Sequence, residues 1–312
     1  MTGPKRVLLT GATGYIGSRL ARRFVENGHA VSIICRPDSS FGLLDCIKSS
    51  IDIYPVDGSP AGINHAIQES CPDLVLHIAS LFLAEHQQFQ VKDIIRSNIE
   101  FPSLLLEAMI RNGVSYFINT NTSWQYFEPD ISVYHPTNLY AASKQGFEDI
   151  LKYYVESCGL SALSLTLYDT FGADDPRKKL FSLFAKASGS REMVNMSSGT
   201  QKIDLVYIDD VVEAFIHASH QLIESPPPRT YSSFTVRTHQ PRNLREVAAT
   251  YEAVSGRPLS INWGALPHRK REVFTPWEAG TPLPNWNAKI SLEEGIRRLL
   301  KISQNHPASS SE

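Results

Sequence analysis

Short apolar runs alternate with longer amphipathic stretches through the first half of the chain. Val7–Thr10, Ala30–Ile34, Ile53–Val56, Leu74–Ile78, Tyr116–Thr120 and Leu163–Leu167 are rich in Val, Ile and Leu and predict short, mostly buried strands. Between them the apolar spacing becomes that of a helix. Ile16, Leu20 and Phe24 recur at every fourth position ahead of Asn27-Gly28, a good C-terminal stop. Two later stretches predict longer helices: Ile94–Asn112, with Ile95, Ile99, Leu105, Leu106 and Met109, and Tyr140–Cys158, with Phe147, Ile150, Leu151, Tyr154 and Val155. Both are apolar over more than one face and must be covered by the same chain or by another subunit. Strands alternating with helices predict an α/β protein with a doubly wound parallel sheet. After Leu167 the alternation breaks down, and glycines, prolines and charges become more frequent from Gly172 on. Ser225–Pro228 predicts a surface loop, and His306–Glu312 a polar, disordered tail.

Composition narrows the classes. The 312 residues are 42% hydrophobic and 20% charged, as in an ordinary globular protein with a large core. A net charge of −2 and a pI near 6.6 give no basic surface for nucleic acid or anionic membrane, so neither is an expected partner. No apolar run is long enough to span a bilayer. Lys5 and Arg6 precede a short apolar stretch that runs straight into a glycine turn, which is not the pattern of a signal peptide. Cys35, Cys46, Cys71 and Cys158 are scattered without metal spacing and read as reduced thiols of a cytoplasmic protein; no metal is expected.

The sharpest motif is Val7 to Gly17, an apolar strand followed at once by Gly11, Gly14 and Gly17. Gly11 allows the turn out of the strand, Gly14 lets backbone approach a pyrophosphate, and Gly17 lets the next helix pack closely. The free N–H groups and positive end of that helix then face phosphates. With a strand before and a helix after, this predicts a dinucleotide site in a Rossmann-type sheet. The first unit is expected over residues 1–170 with a segment returning near 205–240. A smaller C-terminal substrate-binding lobe is expected over 171–312.

A second constellation is Tyr140-Ala-Ala-Ser143-Lys144. Positions four apart on a helix share a face, so a phenol and an ammonium lie side by side. A neighbouring cation stabilises phenolate and is expected to lower the tyrosine pKa toward a useful acid–base range. Upstream, Phe117–Ser123 is an apolar strand ending in hydroxyl residues, and strand ends at the carboxyl edge of a parallel sheet are where ligands bind.

With these residues the chain resembles an extended short-chain dehydrogenase/reductase of the NAD-dependent epimerase/dehydratase family, from Val7 to about Leu300. The resemblance rests on Thr10–Gly17, His77-Ile78-Ala79-Ser80, Asn98, the hydroxyl strand end and Tyr140…Lys144. It implies that Tyr140 is the catalytic acid/base, that Lys144 also binds the nicotinamide ribose, and that Thr122 is the hydroxyl partner, with Ser123 as second candidate. It implies cofactor contacts from Gly11, Thr13, Gly14, Tyr15, Ile16 and Gly17, from Asp57 and Gly58, and from Ile78, Ala79, Ser80 and Asn98. Thr120, Leu167 and Thr170 complete that set. Asp57 would serve equally as a turn residue. It also implies a homodimer.

An NAD-preferring site places a carboxylate at the end of the second strand. Here Ile34-Cys35-Arg36-Pro37 puts an arginine there, suited to a 2′-phosphate, and NADP(H) is the expected cofactor, with NAD possible. A solvated arginine with dual specificity is the alternative. Substrate contacts are expected from Ser80, Thr122, Ser123, Trp124, Tyr168 and Asp169. Two basic clusters, Arg177-Lys178-Lys179 and Arg269-Lys270-Arg271, suit a nucleotide-sugar diphosphate, principally through Arg177, Lys179, Arg269 and Arg271. Each cluster reads alternatively as a solvated charged patch. The family often carries an arginine where Ile203 stands, ahead of Asp204 to Asp210. Ser123-Trp124 replaces the acidic pair of the family's dehydratases. Thr122–Tyr126 and Tyr168–Gly172 resemble instead its nucleotide-sugar 4-ketoreductases, as do Arg177–Leu180 and Ile203–Val206. The expected reaction is NADPH-dependent reduction of a 4-keto deoxyhexose. The alternatives are an epimerase with tightly held NAD and a reductase of a non-sugar carbonyl.

Overall fold

The six apolar runs of the first half form strands β1 (Arg6–Thr10), β2 (Ala30–Cys35), β3 (Ile51–Pro55), β4 (Leu74–His77), β5 (Tyr116–Thr122) and β6 (Ser161–Leu167). The computed structural model describes residues 5–177, 179–190, 192–224 and 230–305. Lys178, the Ser225–Pro228 loop and the His306–Glu312 tail lie outside the described residues. Strand β3 starts two residues before the expected Ile53 and stops before Val56. It is one of the two edge strands, so polar Asp52 can sit in it facing solvent.

Short strands follow: β7 (Asp169–Phe171), β8 (Val194–Met196), β9 (Lys202–Ile203) and β10 (Leu205–Tyr207). Strand β11 (Tyr231–Val236) then returns to pair with β6, Tyr231 beside Ala162 and Val236 beside Leu167. The result is a seven-stranded, all-parallel sheet in the order β11-β6-β5-β4-β1-β2-β3. The strand order reverses between β1 and β4, and the crevice outside their carboxyl ends is where such sheets bind ligands.

Because side chains alternate across a strand, Leu8 and Leu9 enter different cores. Leu9 packs with Phe24 of α1 (Tyr15–Glu26). Leu8 packs in the other core, with Ile63 of α2 (Pro60–Ser70). The expected helix at 94–112 is wound in three pieces: α3 (Val91–Ile95), a wider turn at Arg96–Glu100, and α4 (Phe101–Arg111). Pro102 lacks an N–H, so the normal ladder is interrupted, and Phe101 N–H bonds back to Arg96 O, one residue further than in an α-helix. The next helix is α5 (Leu139–Cys158), capped by the Asn138 side chain, which accepts from Ala141 N–H at 2.9 Å. Helix α6 (Leu180–Ala187) borders the cleft, and α7 (Ile208–Glu224) follows β10. Among the described residues no helix is long and apolar enough to cross a membrane, and no acidic, His or Cys cluster could hold a metal.

Candidate active site

The glycine turn is built as its residues require. Thr10 Oγ1 lies 2.8 Å from His77 Nδ1 and accepts from Ala79 N–H at 3.3 Å, tying the ends of β1 and β4 together. Gly11 has φ +73°, and a Cβ there would fall 2.6 Å from Ala79 N. A Cβ on Gly17 would fall 2.2 Å from Gly11 O, so the close packing it permits is against the turn itself. Gly14 is exposed and extended, and no side chain caps α1. Free N–H groups at an uncapped helix end, with glycines that leave no side chain in the way, fit a dinucleotide pyrophosphate.

Thr13 and Ile16 are half-buried beside this turn. The Tyr15 side chain turns inward: its hydroxyl donates to Ala173 O at 3.0 Å, and the Arg19 and Arg177 guanidinium carbons lie 5.4 and 4.8 Å from its ring centre. Only its backbone therefore borders the turn.

At the tip of β2, Arg36 is 81% exposed and pairs at 3.5 Å with Asp38. The tip therefore does carry an acid: Asp38 lies beyond Pro37, and the turn brings its carboxylate back beside Arg36. After β3, Asp57 accepts from Ser59 N–H at 2.8 Å, and this bond holds its carboxyl below the usual carboxylate range. Gly58 has φ +90°, and Arg96 donates to Asp57 O at 3.0 Å.

Beyond β4, Ile78 and Ala79 are half-buried and Ser80 is exposed. Asn98, fully buried in the widened helical turn, clamps this loop. Its Oδ1 accepts from Leu81 N–H at 2.7 Å, and its Nδ2 donates to Leu81 O at 3.1 Å and to Ser143 Oγ at 2.9 Å. Ser143 in turn donates to Tyr140 O at 2.7 Å. Asn98 thus fixes the head of α5 against the loop. Thr120 is also committed to structure, donating to His77 O at 2.9 Å, and Leu167 and Thr170 are buried.

Tyr140 and Lys144 stand one turn apart on α5, both buried. The Ser80 hydroxyl hydrogen-bonds the Tyr140 phenol. The expected lowering of the Tyr140 pKa by Lys144 is not what the protein shows. Burial pushes the phenol up to about 12, with the Ser80 hydrogen bond opposing it. Burial also pulls Lys144 down to about 8, opposed by the Glu148 carboxylate. Both groups are desolvated together, and desolvation disfavours both charged forms. Thr122 ends β5 with its Oγ1 accepting from Trp124 N–H at 3.3 Å and its N–H donating to Gln125 Oε1 at 3.1 Å.

Ser123, Trp124, Tyr168, Asp169, Thr170 and the cations Arg177, Lys179, Arg269 and Arg271 all line one cleft of about 1440 Å³. Their states differ. Arg177 is held by Asp175, at 2.7 Å through Nε and 2.6 Å through Nη2. Arg269 lies over Trp124, 5.6 Å from the ring centre, and Arg271 lies 4.3 Å from that of Phe127. Asp169 is pushed up by burial and Lys179 is pulled down by it, each opposed by the other. Tyr168 donates to Trp277 O at 2.5 Å.

Phe82 and Trp277 also form the site but carry no local motif. Phe82 stands edge-on to Tyr140 with ring centres 5.0 Å apart and contacts Trp124 at 5.5 Å. Trp277 stacks on Tyr126 at 3.7 Å.

The model of the NAD dependent epimerase/dehydratase family matches residues 7–232. CDP-abequose synthase of Salmonella muenchen is 24% identical, the match covering 96% of this chain and 98% of that protein. UDP-arabinose 4-epimerase 1 of Arabidopsis thaliana is 25% identical over 97% of this chain and 80% of that protein. The crystal structure of UDP-glucose-4-epimerase from Stenotrophomonas maltophila, with bound NAD and formylated UDP-arabinopyranose, superposes with a TM-score of 0.85 at 20% identity, covering 96% of this chain and 98% of that one.

Proposed function

The chain belongs to the NAD-dependent epimerase/dehydratase family of extended short-chain dehydrogenases/reductases, and from that premise we propose that it reduces the 4-keto group of a nucleotide-linked deoxyhexose with NADPH. The observation that carries the reading is the head of α5. A buried phenol and a buried ammonium stand one turn apart there, beside Ser80 and the hydroxyl-bearing end of β5.

When bound, the nicotinamide supplies the hydride. Tyr140 gives its proton to the oxygen that develops negative charge; a phenol held near 12 is protonated at neutral pH, the form an acid needs. Thr122 and Ser80 orient that oxygen. Lys144 keeps positive charge near the phenol and is the ribose contact. Gly11, Gly14 and Gly17 hold the pyrophosphate, Arg36 the 2′-phosphate, and Lys179 and Arg269 the substrate diphosphate. Arg177, already paired with Asp175, serves by shaping the cleft wall.

Arg36 supports NADPH and net reduction, since a reductase must exchange its cofactor every turnover. Asp38 beside it favours the second reading, an epimerase that retains NAD, because a carboxylate at this tip can accept from a ribose hydroxyl. The discriminating experiment mixes the purified protein with NADPH and CDP-, dTDP- or GDP-linked 4-keto-6-deoxyhexoses and follows absorbance at the reduced nicotinamide band. Oxidation of NADPH with at least one of them is expected. A tightly held NAD that co-purifies, with no NADPH consumed, overturns reduction in favour of epimerisation. Exposed Val91 and Ile95 on α3 and Tyr153 on α5 support a homodimer through these helices, which sedimentation velocity tests. Exposed free thiols at Cys46, Cys71 and Cys158 support a cytoplasmic location.

A further inference from the structure

Helix α5 carries a third ionisable group on the face of Tyr140 and Lys144. Glu148 lies one turn beyond Lys144 and is 4% exposed. A carboxylate this buried needs partners, and it has them from three elements. Asn121 Nδ2 of β5 donates to its Oε2 at 2.8 Å, and Gln125 Nε2 donates to the same oxygen at 2.9 Å. The Tyr231 hydroxyl of β11 donates to Oε1. Lys152, one turn further along α5, lies 3.8 Å from Oε1. Gln125 is itself the residue whose Oε1 receives the Thr122 N–H at 3.1 Å. A continuous chain of contacts therefore runs from Glu148 through Gln125 to Thr122, while Glu148 itself follows Lys144 by one turn of the same helix.

We propose that Glu148 is a positioning residue that keeps Lys144 charged and, through Gln125, holds Thr122 at the end of β5. The proposal rests on the assignment of Tyr140, Lys144 and Thr122 as the reacting set. Lys144 is 1% exposed, so burial works against its charge. The groups that face it are Tyr140 and Glu148 on its own helix and His77 from β4, whose imidazole is held neutral by burial and by Lys144 itself. Glu148 is the one anion of that set. The groups that face Glu148 are Lys144, Lys152, Tyr231 and Tyr126, the last pushed up to about 12 by burial and by this carboxylate. Removing its charge leaves burial unopposed at Lys144, and the ammonium then loses its proton at a lower pH.

The test titrates the full chain labelled with ¹³Cε-lysine, the Lys144 signal being assigned by its loss in Lys144→Arg. Glu148→Gln is expected to move the Lys144 titration down by about one pH unit or more, as loss of a close opposite charge does. The alkaline limb of turnover is expected to move with it, while Glu148→Asp falls between Glu148→Gln and the unaltered protein. Gln125→Leu is expected to lower kcat by roughly 10- to 100-fold with KM and the Lys144 titration unmoved, because it cuts the link to Thr122 while Asn121 and Tyr231 still hold the Glu148 carboxylate in its charged form. A folded Glu148→Gln with an unshifted Lys144 overturns the proposal. If Glu148→Gln does not fold, an unshifted Lys144 in Glu148→Asp overturns it instead. The titration needs no sugar, so lack of turnover with every ketosugar would count against the assigned reaction and leave this result to be read by itself.

Discussion

The most exacting prediction concerns Asp204, which directly follows Ile203. Its side chain is fully buried and faces Arg237, 4% exposed, at 3.1 Å. Four donors converge on the carboxylate: Thr238 N–H at 2.8 Å and Oγ1 at 2.7 Å, His239 N–H at 3.2 Å, and Arg237 Nε. His239 sits in the left-handed region at φ +61°, a conformation that its bond to Asp204 helps to hold. Arg237 also donates to Trp277 O at 2.9 Å, and its guanidinium carbon lies 5.1 Å from the Tyr168 ring centre. Asp204→Ala leaves Arg237 buried with half-exposed Glu278, at 3.7 Å, as its remaining acidic neighbour. Breaking a buried pair in this way costs about 3–5 kcal/mol. For a chain of this size that corresponds to a fall in Tm of roughly 5–8 °C.

Differential scanning calorimetry measures the fall directly. Because Arg237 and the Trp277 carbonyl brace Tyr168, KM for the sugar nucleotide is expected to rise as well. The double variant Asp204→Leu/Arg237→Met removes both charges and is expected to recover much of the loss, as apolar replacements of buried pairs do. A fall in Tm below about 2 °C for Asp204→Ala, or a double variant no better than the single, refutes the claim that this pair holds the cleft wall.

Tyr140→Phe is expected to lower turnover by about 100- to 10,000-fold while NADPH binding, read by fluorescence, stays intact; near-normal rates would remove Tyr140 from the chemistry. Because burial holds Lys144 at about 8, kcat/KM of the unaltered enzyme is expected to fall as pH rises through that value. A profile flat to about pH 9 contradicts it. Gly17→Ala forces a Cβ to within 2.2 Å of Gly11 O, so α1 must shift; a loss of NADPH affinity of about tenfold or more is expected in calorimetric titration, and full affinity refutes the turn's role. Arg36→Ala is expected to reduce the preference for NADPH over NADH by roughly 10- to 100-fold, the worth of one hydrogen bond to a charged group; an unchanged ratio ends the 2′-phosphate assignment.

What the amino-acid order determined alone is what depends on neighbours along the chain. The glycine turn needs φ values and clearances that only Gly11 and Gly17 supply within one loop. Tyr140 and Lys144 share a face because helices repeat every 3.6 residues. The buried strands show as apolar runs because both faces of a parallel sheet are covered. What the tertiary structure decided is what depends on residues far apart. Strand β11 joins β6 although its run looks unremarkable, since its place is set by the edge that β6 leaves open. Glu148 meets Tyr231 from 83 residues away and Asp204 meets Arg237 from 33, partners that no local pattern announces. The Tyr140–Lys144 pair was legible as a pair, but not its acidity. Desolvation sums over every segment packed around a group, and those around this pair include His77 of β4 and Ser80 and Phe82 beyond it, some sixty residues earlier in the chain. Charge proximity can be read from spacing; burial cannot.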